Sequence, residues 1–399
     1  MESLDIILIA ARGEDSTHQL KTNYSNIDQL NADMVAFSNS YGGKILVGIQ
    51  EVKDQAALII GLNDQEIKNL NQMISSSASQ GVVPAVNPKT TVVDVNGKLV
   101  LVIEIPEGIN KPYQDKNGVF WVKDGSDKRK ATGREELQRL FQNAGLVHAD
   151  EVPVNGSGIS DLDLDYFSRF YKKRFGRSLE DEPISIDKIL ENMNLSRNNQ
   201  LNLAAILLFS TNPDFRVPAF ILKARSYLTD TASENSYLDS QDIRGKLTDV
   251  LHRSVNFILM NIHHIQAGQS VNSLGQSEIP RIVLEELIAN ALMHRDYFIS
   301  APIRVFIFSN RVEIISPGHL PNNLTVENIK AGNSNMRNPV LASFAVDLLP
   351  YQGIGTGILR ALKNYPYLDF EDDRDGNQFK CIIHRQNKIN ELENTFSEI

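Results

Sequence analysis

A carboxylate, an amide and a glycine-rich turn in the last third of the chain could together bind a nucleotide. Glu286 and Asn290 are four residues apart in a segment with helical apolar spacing, so both side chains lie on one helix face. A carboxylate can orient water, and an amide oxygen can bind Mg²⁺. The turn Gly353-Ile354-Gly355-Thr356-Gly357 opens another predicted helix, where backbone N–H groups can approach phosphate. Alone, a glutamate and an asparagine at this spacing usually mark a solvated helix face, and a glycine-rich turn before a helix is as typical of a plain loop as of a phosphate site. The combination favours a nucleotide site.

A helix and a hairpin must position these groups. The apolar spacing predicts a helix over Pro280–His294, and His294 is expected to line the same pocket as Asn290, one turn earlier. The alternative for His294 is an ordinary helix-end histidine. Residues 303–309 and 311–316 are predicted to form a hairpin that ends in Ser316-Pro317-Gly318-His319-Leu320. Helix starts are expected within 334–341 and 355–362, and a last strand over 380–384.

The first third of the chain has the pattern of a compact α+β unit. Ile27–Ser38 has helical apolar spacing, and Lys44–Ile49 is typical of a buried strand. Asn96-Gly97 predicts a tight turn between two strands. Thr132-Gly133-Arg134-Glu135 has the pattern of a capping box that starts a helix through Phe141.

The middle of the chain is predicted to be a bridging α/β region. Helices are expected over 161–175, 186–193 and 243–264, and strands over 201–209 and 219–224. The Gly-, Pro- and Ser-rich segment 145–160 and the polar segment 266–276 mark boundaries. The predicted fold class is α+β. The predicted divisions are 1–144 as first domain, 145–160 as linker, 161–265 as bridging region, 277–385 as last domain and 386–399 as polar tail.

Composition excludes several classes of protein. A chain of 399 residues is expected to form two or three domains. Its net charge of -9 excludes a protein that coats nucleic acid by bulk positive charge. The single cysteine, Cys381, excludes an intrachain disulfide and a cysteine-rich zinc site. Apolar runs are too short for a membrane span, and the amino terminus lacks the basic region of a signal peptide, so we expect a cytoplasmic protein that does not enter membranes.

The first third also contains basic residues beside aromatic ones. Arginine and lysine near Tyr113 and Trp121 suit phosphate contact and base stacking. The alternative is a solvated loop of mixed charge, because acidic residues interleave with the basic ones between positions 124 and 136. The candidate nucleic-acid-binding residues are Lys21, Lys44, Lys111, Lys123, Lys128, Arg129 and Lys130.

Four segments of the last domain resemble the C-terminal ATPase-like domain of a bacterial family described as RecG-like helicases or transcriptional regulators. They are ELIANALMHRDY at 286–297, SPGHLP at 316–321, GNSNMRNP at 332–339 and GIGTGI at 353–358. That domain is similar to the GHKL ATPases. The resemblance implies that Glu286 acts as general base or orients water and that Asn290 binds Mg²⁺. It also implies that Gly318 lies beside adenine, that Gly355 and Gly357 hold phosphate, and that residues 319–354 form a lid.

The last domain departs from the GHKL pattern at two positions. Ser316 occupies the position of an aspartate that reads the adenine amino group, and Leu320 replaces a second glycine. These departures favour an alternative, a scaffold or binding protein with a degenerate nucleotide pocket. The chain has no G-x-x-x-x-G-K-[ST] sequence, so a P-loop motor is excluded.

The first domain resembles the AlbA-like or Schlafen-like nucleic-acid-binding domain, with AFSNSYGGKILVGI at 36–49 as its main segment. Some Schlafen proteins are nucleases with clustered carboxylates, which suggests a third alternative, a nuclease in defence. Glu14 matches the first of those carboxylates, but Gln19 replaces the second, which argues against metal-dependent cleavage. Glu51 or Asp54 could supply a third group.

These features together predict an ATP-responsive nucleic-acid-binding regulator. ATP and Mg²⁺ would bind between the Glu286 helix and the Gly355–Gly357 turn, beside His294, Ser316, Gly318, Gly353 and Thr356, with slow hydrolysis if any. The expected partners are nucleic acid, DNA rather than RNA, and further copies of the same chain.

Overall fold

The computed structural model describes residues 1–52, 55–144, 146–232, 237–265, 276–321, 324–353 and 355–386. The chain divides into two compact units, Met1–Val147 and His148–Ile399. The division falls inside the segment 145–160, which the sequence predicts as a linker. Asp54, most of the polar segment 266–276 and most of the tail 386–399 lie outside the described residues.

The first unit is built on a mixed four-stranded sheet with the order β1-β2-β7-β6. Strand β1 runs parallel to β2, and the other pairs are antiparallel. Its helices are α1 (Ser3–Arg12), α2 (Ile27–Asn39), α3 (Asp64–Ser76) and α4 (Arg134–Asn143). Its strands are β1 (His18–Lys21), β2 (Gly43–Val47), β3 (Ile49–Gln50), β4 (Leu58–Ile59), β5 (Val82–Val83), β6 (Lys89–Val95), β7 (Lys98–Ile105), β8 (Gln114–Asp115), β9 (Trp121–Asp124) and β10 (Asp127–Lys130).

Helices cover both faces of this sheet. Ile45 and Val47 of β2 pack with α2 and α3, whereas Leu46 between them packs with α1 on the opposite face. Because successive strand residues point to opposite faces, a strand covered on both sides is apolar throughout. The KILVGI segment is therefore a continuous apolar run, and its prediction as a buried strand is confirmed.

The second unit is built on a six-stranded sheet with the order β14-β13-β17-β18-β20-β19. The pair β13 and β17 is parallel, and the other neighbours are antiparallel. Its helices are α5 (Leu164–Phe175), α6 (Ile186–Asn192), α7 (Leu203–Phe209), α8 (Pro213–Arg216), α9 (Leu247–Asn261), α10 (Arg281–His294), α11 (Val326–Lys330), α12 (Pro339–Leu348) and α13 (Gly357–Asn364). Its strands are β11 (Ser196–Arg197), β12 (Gln200–Leu201), β13 (Leu222–Ser226), β14 (Asp239–Ile243), β15 (His264–Ile265), β16 (Gln276–Ser277), β17 (Ile303–Ile307), β18 (Arg311–Pro317), β19 (Leu368–Asp373) and β20 (Gln378–His384).

One face of the large sheet carries the core of this unit. In β17, Ile303, Val305 and Ile307 are buried against the helices, and the residues between them are partly exposed. Helices α7, α9, α10 and α12 contribute to the same core. The α+β fold class predicted from the sequence is confirmed. Strands β13 and β14 come from the segment predicted as a bridging region, and they extend the sheet that carries the last domain's strands.

Three local predictions are corrected by the structure. The apolar run 201–209 is helix α7 over Leu203–Phe209, with the Asn202 side chain accepting a hydrogen bond from the Ala205 N–H at 2.9 Å. When a short apolar segment is buried on all sides, the spacing of its apolar residues does not tell whether it is a helix or a strand. The strand predicted at 219–224 begins later, at Leu222. Gly133, not Thr132, is the N-cap of α4, so the capping box does not form as predicted.

Candidate functional site

Helix α10 carries Glu286 and Asn290 into a pocket of the second unit. The helix is buried continuously from Glu286 to Ala289, and the Glu286 side chain is only 4% exposed. Burial raises the pKa of Glu286, and the Arg360 guanidinium opposes part of that rise. The Nδ2 atom of Asn290 is buried and has no hydrogen-bond partner among the described residues. The predicted helix and the shared face of its two polar side chains are therefore present.

The end of β18 lies against the end of α10. Ser316 is buried, and its Oγ donates to the Ala291 carbonyl at 3.1 Å. Gly318 follows with a φ of +96°, and a Cβ at this position would lie 2.6 Å from the Asp296 Cβ. A side chain at residue 318 is therefore excluded both by the backbone conformation and by the close approach of Asp296.

The glycine-rich turn ends at Gly357, which lies directly against α10. Gly353 and Gly355 have φ values of +70° and +76°, and Ile354 between them lies outside the described residues. A Cβ at Gly355 would overlap the Gly332 carbonyl oxygen. A Cβ at Gly357, the first residue of α13, would overlap the Glu286 carboxylate and lie 3.3 Å from Asn290 Nδ2. Absence of a side chain at Gly357 thus lets the start of α13 touch the polar face of α10, and absence of one at Gly355 lets the turn pack against Gly332.

All nine residues predicted for the nucleotide site line one pocket of the second unit. Its polar end joins Glu286, Asn290, Arg360 and the turn before α13. Another wall is apolar and includes Ile314, Leu320, Leu324, Ile329, Phe370 and Phe379. Phe370 and Phe379 stack with ring centroids 6.1 Å apart. The pocket thus offers polar groups for a charged moiety and an apolar surface for a ring.

His294 lies at the end of α10 in the same pocket. Burial, with a further contribution from Arg337, lowers the pKa of His294 to about 4, so the imidazole is neutral at neutral pH. Its Nε2 lies 3.3 Å from the Tyr351 hydroxyl. Arg337 donates to the carbonyls of His294 at 3.3 Å and His319 at 2.7 Å. Arg337 therefore joins the end of α10 to the loop after β18.

Sequence reasoning missed Arg360, which forms an ion pair with Glu286. The Nη2 atom of Arg360 lies 3.1 Å from Oε2 of Glu286. Arg360 follows Gly357 by three residues on α13, so its position one turn after the glycines was a usable signal. Tyr351 was also missed, and no pattern in the sequence connects it with His294.

The predicted lid, residues 319–354, is only partly a loop. Helix α12 lies within this segment, and its Leu341 and Ala345 are fully buried in the core of the second unit. A segment anchored in this way cannot move as a whole without exposing core residues.

In the first unit, Glu14 and Gln19 lie in a cluster of paired charges. The Glu14 Oε1 accepts from the Leu20 N–H at 2.8 Å and from Lys21 Nζ at 3.4 Å. With its amide turned to match its neighbours, Gln19 donates to Oδ1 of the buried Asp33 at 3.1 Å. A glutamate at residue 19 would place a second negative charge against Asp33. No group of three or more His, Cys, Asp or Glu in the described ranges is arranged to hold a metal ion.

The seven predicted basic residues differ in what they contact. Ion pairs join Lys21 to Glu14, Lys111 to Glu107, Lys128 to Asp33, and Arg129 to Asp124 and Glu136. Lys123 donates to the Ser126 carbonyl and lies 5.1 Å from the centroid of the Phe37 ring. Lys130 lies 5.3 Å from the centroid of the Trp121 ring, and Lys44 lies opposite Glu104 in the sheet. Within the described part of the chain, Lys44 and Lys130 form no ion pair with a carboxylate.

Asn39 at the end of α2 positions the strand that carries Trp121. Its Nδ2 donates to the carbonyls of Tyr113 and Trp121, each at 2.8 Å, and its Oδ1 accepts from the Tyr113 N–H at 2.7 Å. The indole N–H of Trp121 donates to Asp115 Oδ2 at 2.9 Å. The ring of Trp121 is thereby fixed beside Lys128 and Lys130.

Two protein families match the chain. Residues 14–132 match the family described as "Schlafen, AlbA_2", and residues 300–381 match the family described as "Putative ATP-dependent DNA helicase recG C-terminal". The first matched segment lies in the first unit and the second in the second unit. The two resemblances predicted from the sequence are therefore confirmed, and the matched families are nucleic-acid-related and of ATPase type. The second match contains the Ser316 to Gly357 part of the pocket, and Glu286, Asn290 and His294 precede it.

Solved structures include two similar chains. The DIP2311 protein from Corynebacterium diphtheriae is 19% identical, covers 98% of this chain and 81% of its own, and has a TM-score of 0.46. The N-terminal domain of a RecG-related protein from Nitrosomonas europaea is 23% identical, covers 34% of this chain and 96% of its own, and has a TM-score of 0.26. No curated protein matches the chain. No helix within the described ranges is long and apolar enough to cross a membrane.

Proposed function

We propose that the chain is an ATP-responsive regulator that binds nucleic acid, with ATP and Mg²⁺ in the pocket of the second unit. The observation that carries this proposal is the contact of Gly357, at the end of the glycine-rich turn, with α10. Only glycine at residue 357 lets the start of α13 approach both Glu286 and Asn290. A helix start next to a carboxylate and an unpartnered amide is suited to a phosphate with a bound cation.

The residues at the polar end fit Mg²⁺. Glu286 and Asn290 provide side-chain oxygens for the cation, and the unpartnered Nδ2 of Asn290 is a donor that can contact a phosphate oxygen. Mg²⁺ commonly takes one or two protein ligands and completes its shell with phosphate oxygens and water. The ion would neutralise charge on the phosphates, so we expect it to bind together with the nucleotide. We propose that Glu286 orients water for slow hydrolysis.

The nucleic-acid-binding part of the proposal rests on the first unit. Trp121 is held by Asn39 and Asp115 with Lys130 and Lys128 close to its ring. An aromatic ring with neighbouring lysines can stack a base and contact phosphate. Since four of the seven basic residues are already ion-paired, binding should be local and depend on Lys44, Lys130 and Trp121. We propose DNA as the preferred nucleic acid.

Calorimetry tests the nucleotide part directly. ATP is titrated into the full chain with and without Mg²⁺, and binding is expected to require or be strengthened by the cation. Asn290→Ala should remove most of the Mg²⁺ dependence, while Asn364→Ala, at the far end of α13, serves as a control. If millimolar ATP gives neither heat nor a thermal shift, the proposed function is wrong.

One observation favours a second candidate, a binding or scaffold protein with a degenerate pocket. The Ser316 hydroxyl donates its proton to the Ala291 carbonyl, and its oxygen, unlike that of an aspartate, carries no negative charge with which to attract the amino group of a base. This candidate predicts that ATP does not change nucleic-acid binding and that Glu286→Ala leaves stability and function unaffected. The regulator predicts that ATP changes nucleic-acid binding and that Glu286→Ala abolishes this response.

We also propose that the protein acts as a homo-oligomer. Helix α1 exposes Leu4, Ile7 and Leu8, with exposed fractions of 64%, 39% and 47%. This apolar helix face is the proposed self-association surface, because burying it against a second copy gains hydrophobic free energy. Light scattering on the chain and on a Leu4→Glu, Leu8→Glu variant tests it, and an equal mass for both would exclude α1 as the contact.

A further inference from the structure

The Glu286 carboxylate occupies the place where a ligand anion is expected. It lies directly against Gly357 at the start of α13, where a Cβ would overlap it. The N-cap residue of α13, Thr356, makes no side-chain hydrogen bond to the helix start. The positive end of the helix dipole favours an anion at this point. In the chain without ligand, the anion beside this helix start is the protein's own carboxylate.

Arg360 is the cation that accompanies this carboxylate. Helical side chains lean toward the amino terminus of their helix, so Arg360 reaches back from the first turn of α13 toward the glycines. Its Nη2 contacts Glu286 at 3.1 Å, whereas its Nε is buried and has no partner among the described residues. A guanidinium can bind an anion through two parallel N–H donors. The pair with Glu286 uses only part of this capacity.

A phosphate group would suit Arg360 better than Glu286 does. It offers three oxygens and more negative charge, and it can reach both Nη2 and the unpartnered Nε. The phosphate cannot share the space beside Gly357 with an ionised carboxylate, since the two negative charges repel each other. Entry of a phosphate therefore requires Glu286 to give up Arg360.

We propose that Arg360 is a phosphate-binding residue whose guanidinium exchanges Glu286 for the terminal phosphate of the bound nucleotide. This inference rests on the proposed function, because it concerns the same pocket. The exchange displaces Glu286 from the helix start and releases it from its ion pair, so that a water molecule can lie between its carboxylate and the phosphate. Glu286 is in this way a competitor of the ligand before binding and a neighbour of it afterwards.

The test compares four forms of the full chain by calorimetry with ATP·Mg²⁺ and with inorganic triphosphate. The forms are wild type, Glu286→Gln, Arg360→Ala and the double variant. Glu286→Gln removes the competing charge and should tighten triphosphate binding about tenfold. In that background Arg360 has no carboxylate partner, so its remaining effect on affinity is its contact with the ligand. The double variant should bind triphosphate about ten- to hundredfold more weakly than Glu286→Gln, as expected for charge-assisted hydrogen bonds.

Each outcome decides a separate point. Equal affinity of Glu286→Gln and the double variant would show that Arg360 does not bind phosphate. Equal affinity of wild type and Glu286→Gln would show that Glu286 does not compete. Absence of ATP binding by both wild type and Glu286→Gln would instead contradict the proposed function. The double variant leaves no unpaired buried charge, so it is expected to fold even if Arg360→Ala does not, and circular dichroism of each form checks this.

Discussion

At the scale of single residues, the pocket depends on glycines that allow close approach. Gly353 and Gly355 share a left-handed backbone conformation, but their surroundings differ. A Cβ at Gly355 would overlap the carbonyl oxygen of Gly332, whereas nothing lies within 3.6 Å of one at Gly353. Comparing alanine substitutions at the two positions therefore separates the free-energy cost of the left-handed conformation from the cost of the overlap with Gly332.

Gly355→Ala is expected to destabilise the second unit by about 2 kcal/mol or more, because conformational strain and backbone overlap add. Gly353→Ala is the matched control, and its cost of about 1 kcal/mol reflects the conformation alone. Urea unfolding followed by circular dichroism measures both. Equal losses for the two variants would mean that the contact with Gly332 does not constrain the turn.

The sequence predicts the polar face of α10 well but not the ion pair that completes it. The four-residue spacing of Glu286 and Asn290 places both side chains on one face in any regular helix. The pair between Glu286 and Arg360 depends instead on how α10 and α13 pack, which local spacing does not determine. The same holds for His294, whose partner Tyr351 lies 57 residues away in the chain.

At the scale of elements, helix α12 is capped by a residue from a segment predicted as a linker. Asp150 is fully buried, and its Oδ2 accepts from the Leu341 N–H in the first turn of α12 at 2.8 Å. Its Oδ1 has no partner in the described part of the chain. Burial raises the pKa of Asp150 to about 6. The segment 145–160 has the composition of a linker, and only the packing of the second unit shows that part of it is structural.

Asp150 should make stability depend on pH. Because its pKa is higher in the folded chain than in the unfolded one, where it is near 3.8, the folded state binds the proton more tightly. The resulting stabilisation is complete below pH 3.8 and is lost as the pH rises through about 6. A shift of about two units corresponds to roughly 3 kcal/mol.

Asp150→Asn keeps an acceptor for the Leu341 N–H and removes the titration. We expect the variant to lose the decline in unfolding free energy between about pH 4 and 6 that Asp150 causes, and to be more stable than the wild type at neutral pH. Urea midpoints measured across this range test the prediction. If the unfolding free energy of the variant declines with pH as that of the wild type does, groups other than Asp150 cause the decline.

Element predictions succeed where a periodic pattern meets a clear end signal. The turn Asn96-Gly97 joins β6 and β7 as predicted, with positive φ at both residues. The strand prediction for 201–209 is wrong because α7 is buried on all sides. Its residues are therefore all apolar and show neither helical nor strand periodicity. Strand pairing in the large sheet could not be predicted, because β13 and β17 are neighbours although about 80 residues separate them.

At the scale of the whole molecule, the proposed function requires that ATP and nucleic acid influence each other's binding. By linkage, the factor by which ATP·Mg²⁺ changes nucleic-acid affinity must equal the factor by which nucleic acid changes ATP affinity. We expect a factor of about 5 or more. Titrations of DNA with and without ATP·Mg²⁺, and of ATP with and without DNA, measure it. If neither ligand changes the affinity for the other, the two units bind their ligands independently and the proposed regulation is wrong.

Nucleic-acid binding itself should depend on salt and on the Trp121 surface. Lys130→Ala and Trp121→Phe are expected to weaken DNA binding, and Lys130→Ala should also reduce the slope of log affinity against log salt by about one. The charge-matched control is Lys188→Ala. Lys188 lies on the surface of the second unit, where it forms an ion pair with Glu191. Loss of affinity in the control but not in Lys130→Ala would place the binding surface elsewhere.

The position of Trp121 has an experimental consequence for the two-unit architecture. It is the only tryptophan of the chain, so selectively excited indole emission comes from the first unit alone. The Glu286 pocket, by contrast, belongs wholly to the second unit. A change in tryptophan emission on adding ATP would therefore be a direct optical record of a signal that has passed from one unit to the other, obtained without attaching any label.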